Sequence, residues 1–264
     1  MKALWKGSIN FGLVSCPISL YVAHKTHDIS FNQLCSCGGR IREKRFCERE
    51  NIEVPYYKIQ KGFYISKSHG YVVFTKEELE KLKTKSSKVI EIVNFVNADE
   101  IDDLYIEKAY YVLPDEKGLK AYFLLKEVLS LTNKVGVGKI TLRNRESICL
   151  IKSYKNGLVL FLLYYPDEII DFDELFNEQG IHKEDVKKDE LELAKMLIEK
   201  LSNPFKIEDF KDSYTETLQN YIKAKIENRE FKIEDKREET IEFKDLMEAL
   251  KRSIEIKSKK VVKK

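Results

Sequence analysis

The sequence predicts a mixed, mainly β fold, a barrel or a sandwich, followed by helices. Two patterns carry that reading. Up to residue 165, short segments rich in Val, Ile, Leu, Phe and Tyr recur between turn signals. Beyond it, apolar residues return at helical spacing. The chain of 264 residues is 43% hydrophobic, so it can bury a sizeable core, and disorder throughout is excluded. The length fits one or two domains.

Strands are expected over 8–14, 17–23, 71–75, 88–96, 105–113, 134–142, 146–152 and 157–165. Cys16-Pro17, His69-Gly70, Pro114-Asp115 and Asn156-Gly157 supply the turns. Asn156-Gly157, between ESICLIKSYK and LVLFLLYY, reads as a hairpin. One helix interrupts the strands over 118–132, with Ala121, Leu124, Leu125 and Val128 as its apolar stripe. A helix over 184–201 carries Leu191, Ala194, Ile198 and Leu201 on one face and ends at Asn203-Pro204. A second, over 212–228, aligns Tyr214, Leu218, Tyr221 and Ile222. The polar stretch 229–240 reads as a linker, and a third helix over 241–254 aligns Phe243, Leu246, Met247, Leu250 and Ile254. These breaks divide the chain into 1–180, 181–230 and 231–264.

Several function classes drop out. No apolar run reaches the ~18 residues of a membrane span. The N-terminus has no apolar h-region, so no secretory signal is read. Five cysteines form an odd set that fits a reducing cytosol better than a disulfide framework. Gly136-Val137-Gly138-Lys139 fails as a phosphate loop, because Ile140 stands where Ser or Thr is required. No G-x-G-x-x-G, H-E-x-x-H or G-x-S-x-G occurs, and His24, His27, His69 and His182 are scattered. No catalytic residue and no cofactor are assigned. Cys35, Cys37 and Cys47 fall within a short stretch, but their spacing is not that of paired C-x₂₋₄-C zinc ligands. No metal is assigned either.

The charge is nearly balanced as a total, +3, and uneven in its placement. Residues 251–264 hold seven basic residues against one acidic, and 134–155 hold six against one. Residues 38–67 hold eight against four, whereas 167–192 hold eleven acidic against three basic. Clustered cations are the footprint of a polyanion partner. In GGRIREKR, Arg40, Arg42 and Lys44 alternate behind a glycine pair, as on one face of a β-ribbon. In KITLRNRE, Lys139, Thr141, Arg143 and Arg145 alternate with Ile140 and Leu142. Either ribbon could be a solvated edge. Together they favour a phosphate backbone, and no base-reading motif accompanies them.

The stretches LWKGSINFGLVSCPISLY, GGRIREKRFC, EVPYYKIQKGF, YVVFTKEELEKL, EIVNFV, KAYYVLPDEKGLKAYFLLKEVL, GKITLRNRE and LLYYPDEI resemble, in order, prokaryotic Ku, the DNA-end-binding family of non-homologous end joining. The resemblance covers residues 1–230. It implies a β-barrel core with helical arms and C-terminal helices, forming a homodimeric ring threaded by duplex DNA. It implies no enzyme activity, an ATP-dependent DNA ligase as partner, and a cytoplasmic, nucleoid-associated location. The family's bridge across DNA corresponds to residues 31–67, which places Arg40, Arg42, Lys44, Arg45 and Lys61 toward DNA. The barrel-strand match adds Lys139, Arg143 and Arg145. The apolar stripes of the helices within 181–230 need a partner, which assigns that region to arm packing and dimerisation, and the amphipathic helix with the short basic tail either docks a partner or packs back on the core. Many relatives carry C-x-x-C near Cys47, a pattern this chain lacks. A compact globule of this length has a radius of gyration of about 18 Å, so enclosing a duplex needs two subunits. A general duplex-binding chromatin protein without end preference is the competing reading.

Overall fold

Trp5–Phe11 (β1) and Val14–Val22 (β2) open the chain as an antiparallel hairpin. Phe11 pairs with Val14 across Gly12-Leu13, and Gly12 takes the positive φ of 59° that this two-residue turn needs. The expected turn at Cys16-Pro17 is instead strand interior. Pro17 lies one residue outside the β2 ladder to its next neighbour, which begins at Ile18, so no bond on that side requires its missing N–H. The computed structural model describes residues 1–25, 29–82, 88–143, 145–231 and 249–250. The described residues up to Asp171, Ile29 apart, form one compact unit, and the rest belong to a second.

In the first unit the chain continues through Lys61–Ser66 (β3), Gly70–Phe74 (β4), a helix at Lys76–Leu82 (α1), Val89–Asn97 (β5) and Ile106–Pro114 (β6). Helix Leu119–Thr132 (α2) follows, then Lys134–Leu142 (β7), Arg145–Tyr154 (β8) and Gly157–Leu163 (β9). Among the described residues, seven strands close a barrel in the order β1-β2-β6-β9-β8-β7-β5, while β3 and β4 form a separate hairpin. The barrel is antiparallel except at its seam, where Ser8–Asn10 run parallel to Val89–Glu91. Inward side chains alternate along each strand, as a half-buried sheet requires. Ile9, Ile18, Leu20, Ile90, Val112, Ile140, Ile151 and Leu160 are all essentially inaccessible and share one cluster. Burying each such side chain contributes about 1.5–3 kcal/mol.

Helix α2 stoppers the barrel. Tyr122, Leu125 and Leu129 join the barrel cluster, with Ala121 packed beside them, whereas Leu124 and Val128 of the expected stripe face solvent. The buried face is rotated because Tyr122 is the side chain that enters the barrel. Its hydroxyl donates to the Val112 carbonyl at 2.6 Å and accepts from the Leu158 N–H at 2.7 Å. It thereby bridges β6 and β9 where their pairing stops. The same ring explains Gly157. A Cβ there would stand 2.8 Å from the Tyr122 hydroxyl. The two-residue hairpin loop is therefore Lys155-Asn156, one position before the Asn-Gly pair, with Gly157 already in β9.

The second unit contains Phe172–Glu178 (α3), Lys188–Leu201 (α4) and Ser213–Ile226 (α5). Helix α4 starts four residues later than its apolar periodicity implies, and α3, absent from the sequence reading, occupies part of the acidic stretch. Asp212 caps α5 by accepting from the Thr215 N–H at 3.0 Å. Leu191, Ile198 and Leu201 on α4 and Tyr214 on α5 are exposed. The expected third helix and basic tail fall, apart from Ala249 and Leu250, outside the described residues.

Removing the Tyr122 hydroxyl leaves a buried carbonyl and a buried N–H unpaired, at about 1–3 kcal/mol each. Tyr122→Phe should therefore lower the stability of the barrel by about 2–6 kcal/mol. Urea denaturation followed by circular dichroism checks this; a loss below about 1 kcal/mol contradicts the bridging role.

Candidate nucleic-acid interface

The residues singled out for DNA lie in two places. Arg40, Arg42, Lys44, Arg45 and Lys61 sit in the excursion that leaves the barrel after Val22 and returns at Val89. Both points lie at the barrel end away from α2, as the registers show: Val22 pairs with Tyr110, and Asn97, at the far end of β5, pairs with Lys134 just after α2. The turn between β7 and β8, with Arg143 at its start, is at that same end. The two points where the excursion meets the barrel and the turn that begins at Arg143 therefore share one barrel end.

The described residues of the excursion form no core. Among its described residues none is buried, and Phe31, Phe46, Tyr56, Tyr57, Phe63 and Tyr71 are all more than half exposed. An isolated two-stranded hairpin such as β3–β4 is marginal in water. GGRIREKR is not the ribbon that its alternation implies. Only isolated bridges occur, Leu34 with Arg40 and Phe46 with Glu53. The physical reason is that Ile41 alone among residues 40–45 has an apolar side chain, so a strand there would have no face to bury.

Two small turns take its place, each beginning at a cysteine. Cys35 donates to the Gly39 carbonyl and accepts from the Gly38 N–H, both at 2.8 Å, with Gly38 at φ 81°. Cys47 donates to the Ile52 carbonyl at 2.9 Å and accepts from the Asn51 N–H at 2.8 Å, with Asn51 at φ 52°. Arg42, Glu43 and Lys44 span the gap between the turns. Lys44 meets Glu53 at 2.7 Å, an exposed pair of the kind that contributes little to stability. The Arg45 guanidinium lies over the Tyr56 ring at 5.2 Å, which holds it without cancelling its charge. Tyr56 was not singled out from sequence, since it lies eleven positions after its cation. Among the described residues, Arg40, Arg42 and Lys61 have no carboxylate partner.

The second ribbon is also divided. Lys139 faces outward and Ile140 and Leu142 join the core, as the alternation implies, but Thr141 is buried rather than exposed. Arg143 then takes φ 50° at the turn, and Arg145 begins the next strand, so neither extends the stripe. Lys139 pairs with Glu146 at 2.9 Å, and the Glu146 carboxylate raises the lysine's pKa. Arg145 pairs with Glu168 at 2.7 Å. The Tyr165 N–H and then Arg145 hold the Glu168 carboxyl below its usual range. Of this trio only Arg143 has no carboxylate partner among the described residues.

A family model, the Ku70/Ku80 beta-barrel domain, matches residues 10–193. The chain belongs to the Ku family. It is 42% identical over 256 residues to the non-homologous end joining protein Ku of Archaeoglobus fulgidus, covering 97% of this chain and 99% of that one. It is 36% identical to the Ku of Solibacter usitatus, covering 95% and 92% of the two chains, and 34% identical to that of Opitutus terrae, covering 86% and 81%. The closed barrel fits this membership. Among the described residues no helix is long and apolar enough to cross a membrane.

The cysteines separate into two kinds. Burial pushes the Cys149 thiol up to about 12, and burial with the nearby Asp115 charge pushes Cys16 up to about 11. Cys35 shifts the other way, because the Cys37 backbone N–H, the Ser36 hydroxyl and the Cys37 thiol favour its thiolate. Among the described residues, no three or more His, Cys, Asp or Glu side chains converge as metal ligands. A disulfide-forming thiol reagent at about pH 8, applied to native protein, should modify Cys35, Cys37 and Cys47, with Cys35 fastest. Cys16 and Cys149 should react only after unfolding, and mass mapping of the modified peptides reads both results.

Proposed function

We propose that the protein binds ends of double-stranded DNA without sequence preference, as a ring-shaped homodimer threaded by the duplex, and recruits an ATP-dependent DNA ligase for end joining. The observation that carries this reading is the excursion: cationic, aromatic, with no buried residue among those described, and mounted on a closed barrel of the Ku family. Its exposed apolar side chains need a covering surface, and a second copy of the chain supplies one under two-fold symmetry. Its cations suit a phosphate backbone, which Lys and Arg bind largely by releasing counterions. A closed ring has to be threaded, so end preference follows from topology and needs no catalytic step. Arg40, Arg42, Arg45, Lys61 and Arg143 are proposed to carry most of the binding. Lys44, Lys139 and Arg145 reach DNA only by exchanging a carboxylate for a phosphate. Residues 181–230 are assigned to arm packing and dimerisation, and 231–264 to docking the ligase. Such a protein works in the cytoplasm, at the nucleoid.

Linear duplex should be bound, with more copies loading as it lengthens, and covalently closed circles of the same sequence should bind weakly. A gel-shift titration of both forms decides this; equal affinity would sink the ring and favour a general chromatin protein.

Changing Arg40, Arg42 and Lys44 together to Ala should weaken binding equally across duplex sequences. The slope of log affinity against log salt should become shallower by about 0.9 for each phosphate that is no longer neutralised. Lys139→Ala alone should change that slope less than Arg42→Ala alone, because Glu146 already neutralises Lys139. Fluorescence anisotropy over a salt series measures all three variants.

A further inference from the structure

The barrel has a second cationic site at its opposite end, beside the C-terminus of α2. Ser130 and Asn133 from that terminus, Lys134 at the start of β7, Lys152 and Ser153 near the end of β8, and Lys155 in the following turn surround a hollow of about 220 Å³. Asn133, at φ 50°, closes the helix by donating to the Leu129 carbonyl and accepts from the Ala98 N–H at 3.1 Å. The Lys155 ammonium rests 5.3 Å from the Tyr154 ring centroid. Among the described residues, no carboxylate lines the hollow and none of these lysines is in an ion pair.

We infer that this hollow is a phosphate-binding site. Three lysines line one hollow; like charges close together repel one another, and an anion bound among them relieves that repulsion. Two hydroxyls and a carboxamide add uncharged donors. One lysine near a helix C-terminus is accounted for by the helix dipole, but three from separate elements around a polar hollow are not. The size selects the ligand. Pockets that enclose whole small molecules measure roughly 300–1,000 Å³, so this hollow, at about 220 Å³, suits a single phosphate group. The phosphate comes either from the duplex backbone or from a free polyphosphate. The duplex source rests on the DNA-binding reading above, while the anion chemistry does not. Lys134 and the Arg143 turn lie at opposite ends of β7, about 30 Å apart at ~3.3 Å per residue. A backbone phosphate held here would therefore anchor a bound duplex far from the excursion.

The test compares full-length wild type with Lys134→Ala/Lys152→Ala/Lys155→Ala. A charge-matched control, Lys117→Ala/Lys120→Ala/Lys126→Ala, removes three lysines elsewhere in the same unit. Lys→Gln at the three pocket positions replaces Ala if the first variant does not fold. One arm measures the rise in Tm with inorganic tripolyphosphate; the other measures linear-duplex affinity against salt. Wild type and control should both gain Tm with tripolyphosphate, and the pocket variant should lose most of that gain. If the variant's duplex salt slope also falls by about 0.9 per phosphate released, the ligand is a backbone phosphate. If the duplex arm is unchanged, it is a free polyphosphate. Equal responses of pocket variant and control in both arms overturn the site. Should wild type bind no duplex, the DNA-binding reading fails, and the tripolyphosphate arm still decides the pocket.

Discussion

The parallel seam between β1 and β5 is the constraint on which the molecule is arranged. Strand β1 pairs with β2 on one side and β5 on the other, so the segment between β2 and β5 begins and ends beside one strand. The seam is tight: the Ser8 N–H meets the Lys88 carbonyl at 2.9 Å, and a Cβ on Gly7 would fall 2.2 Å from that oxygen. A closed barrel presents no free edge. An excursion anchored at both ends on such a base keeps its footing without an interior of its own, and its side chains remain available to partners.

The barrel and the excursion divide the physical tasks. In the barrel, apolar side chains and the two hydrogen bonds of Tyr122 are enclosed, and loss of either is costly. In the excursion almost everything is exposed, and order comes from the Cys35 and Cys47 turns and the β3–β4 ladder. The cations follow the same division. On the barrel corner Lys139 and Arg145 are held by Glu146 and Glu168, whereas Arg40 and Arg42 in the excursion have no such carboxylate among the described residues. Exposed pairs of this kind contribute little to stability. Their consequence is electrostatic: they decide which cations present charge outward.

Much of the barrel was legible in the sequence because burial on one face imposes strict alternation, as in β7, where Ile140 and Leu142 point in and Lys139 points out. Segments with no buried face were legible only in part: β4 was expected from its apolar run behind the His69-Gly70 turn although none of its residues is buried. Strand β3 was missed because Phe63, Tyr64 and Ile65 are all exposed, so no alternation marks it. The reading of GGRIREKR as a ribbon failed for the same reason. The α2 stripe was misplaced because aliphatic spacing cannot show that a tyrosine, with two backbone partners waiting for its hydroxyl, is the residue that enters the barrel.

By itself the sequence determined the family, the mainly β class, the separation of basic from acidic blocks and the chemistry of the candidate residues, because these depend on residue type and local order. Tertiary structure alone decided which cations are neutralised, which end of the barrel each occupies, and that Ser130, Asn133, Lys134, Lys152, Ser153 and Lys155 meet around one hollow. Ion pairing and convergence depend on distances between strands, and those are set by the register of the closed barrel rather than by spacing along the chain.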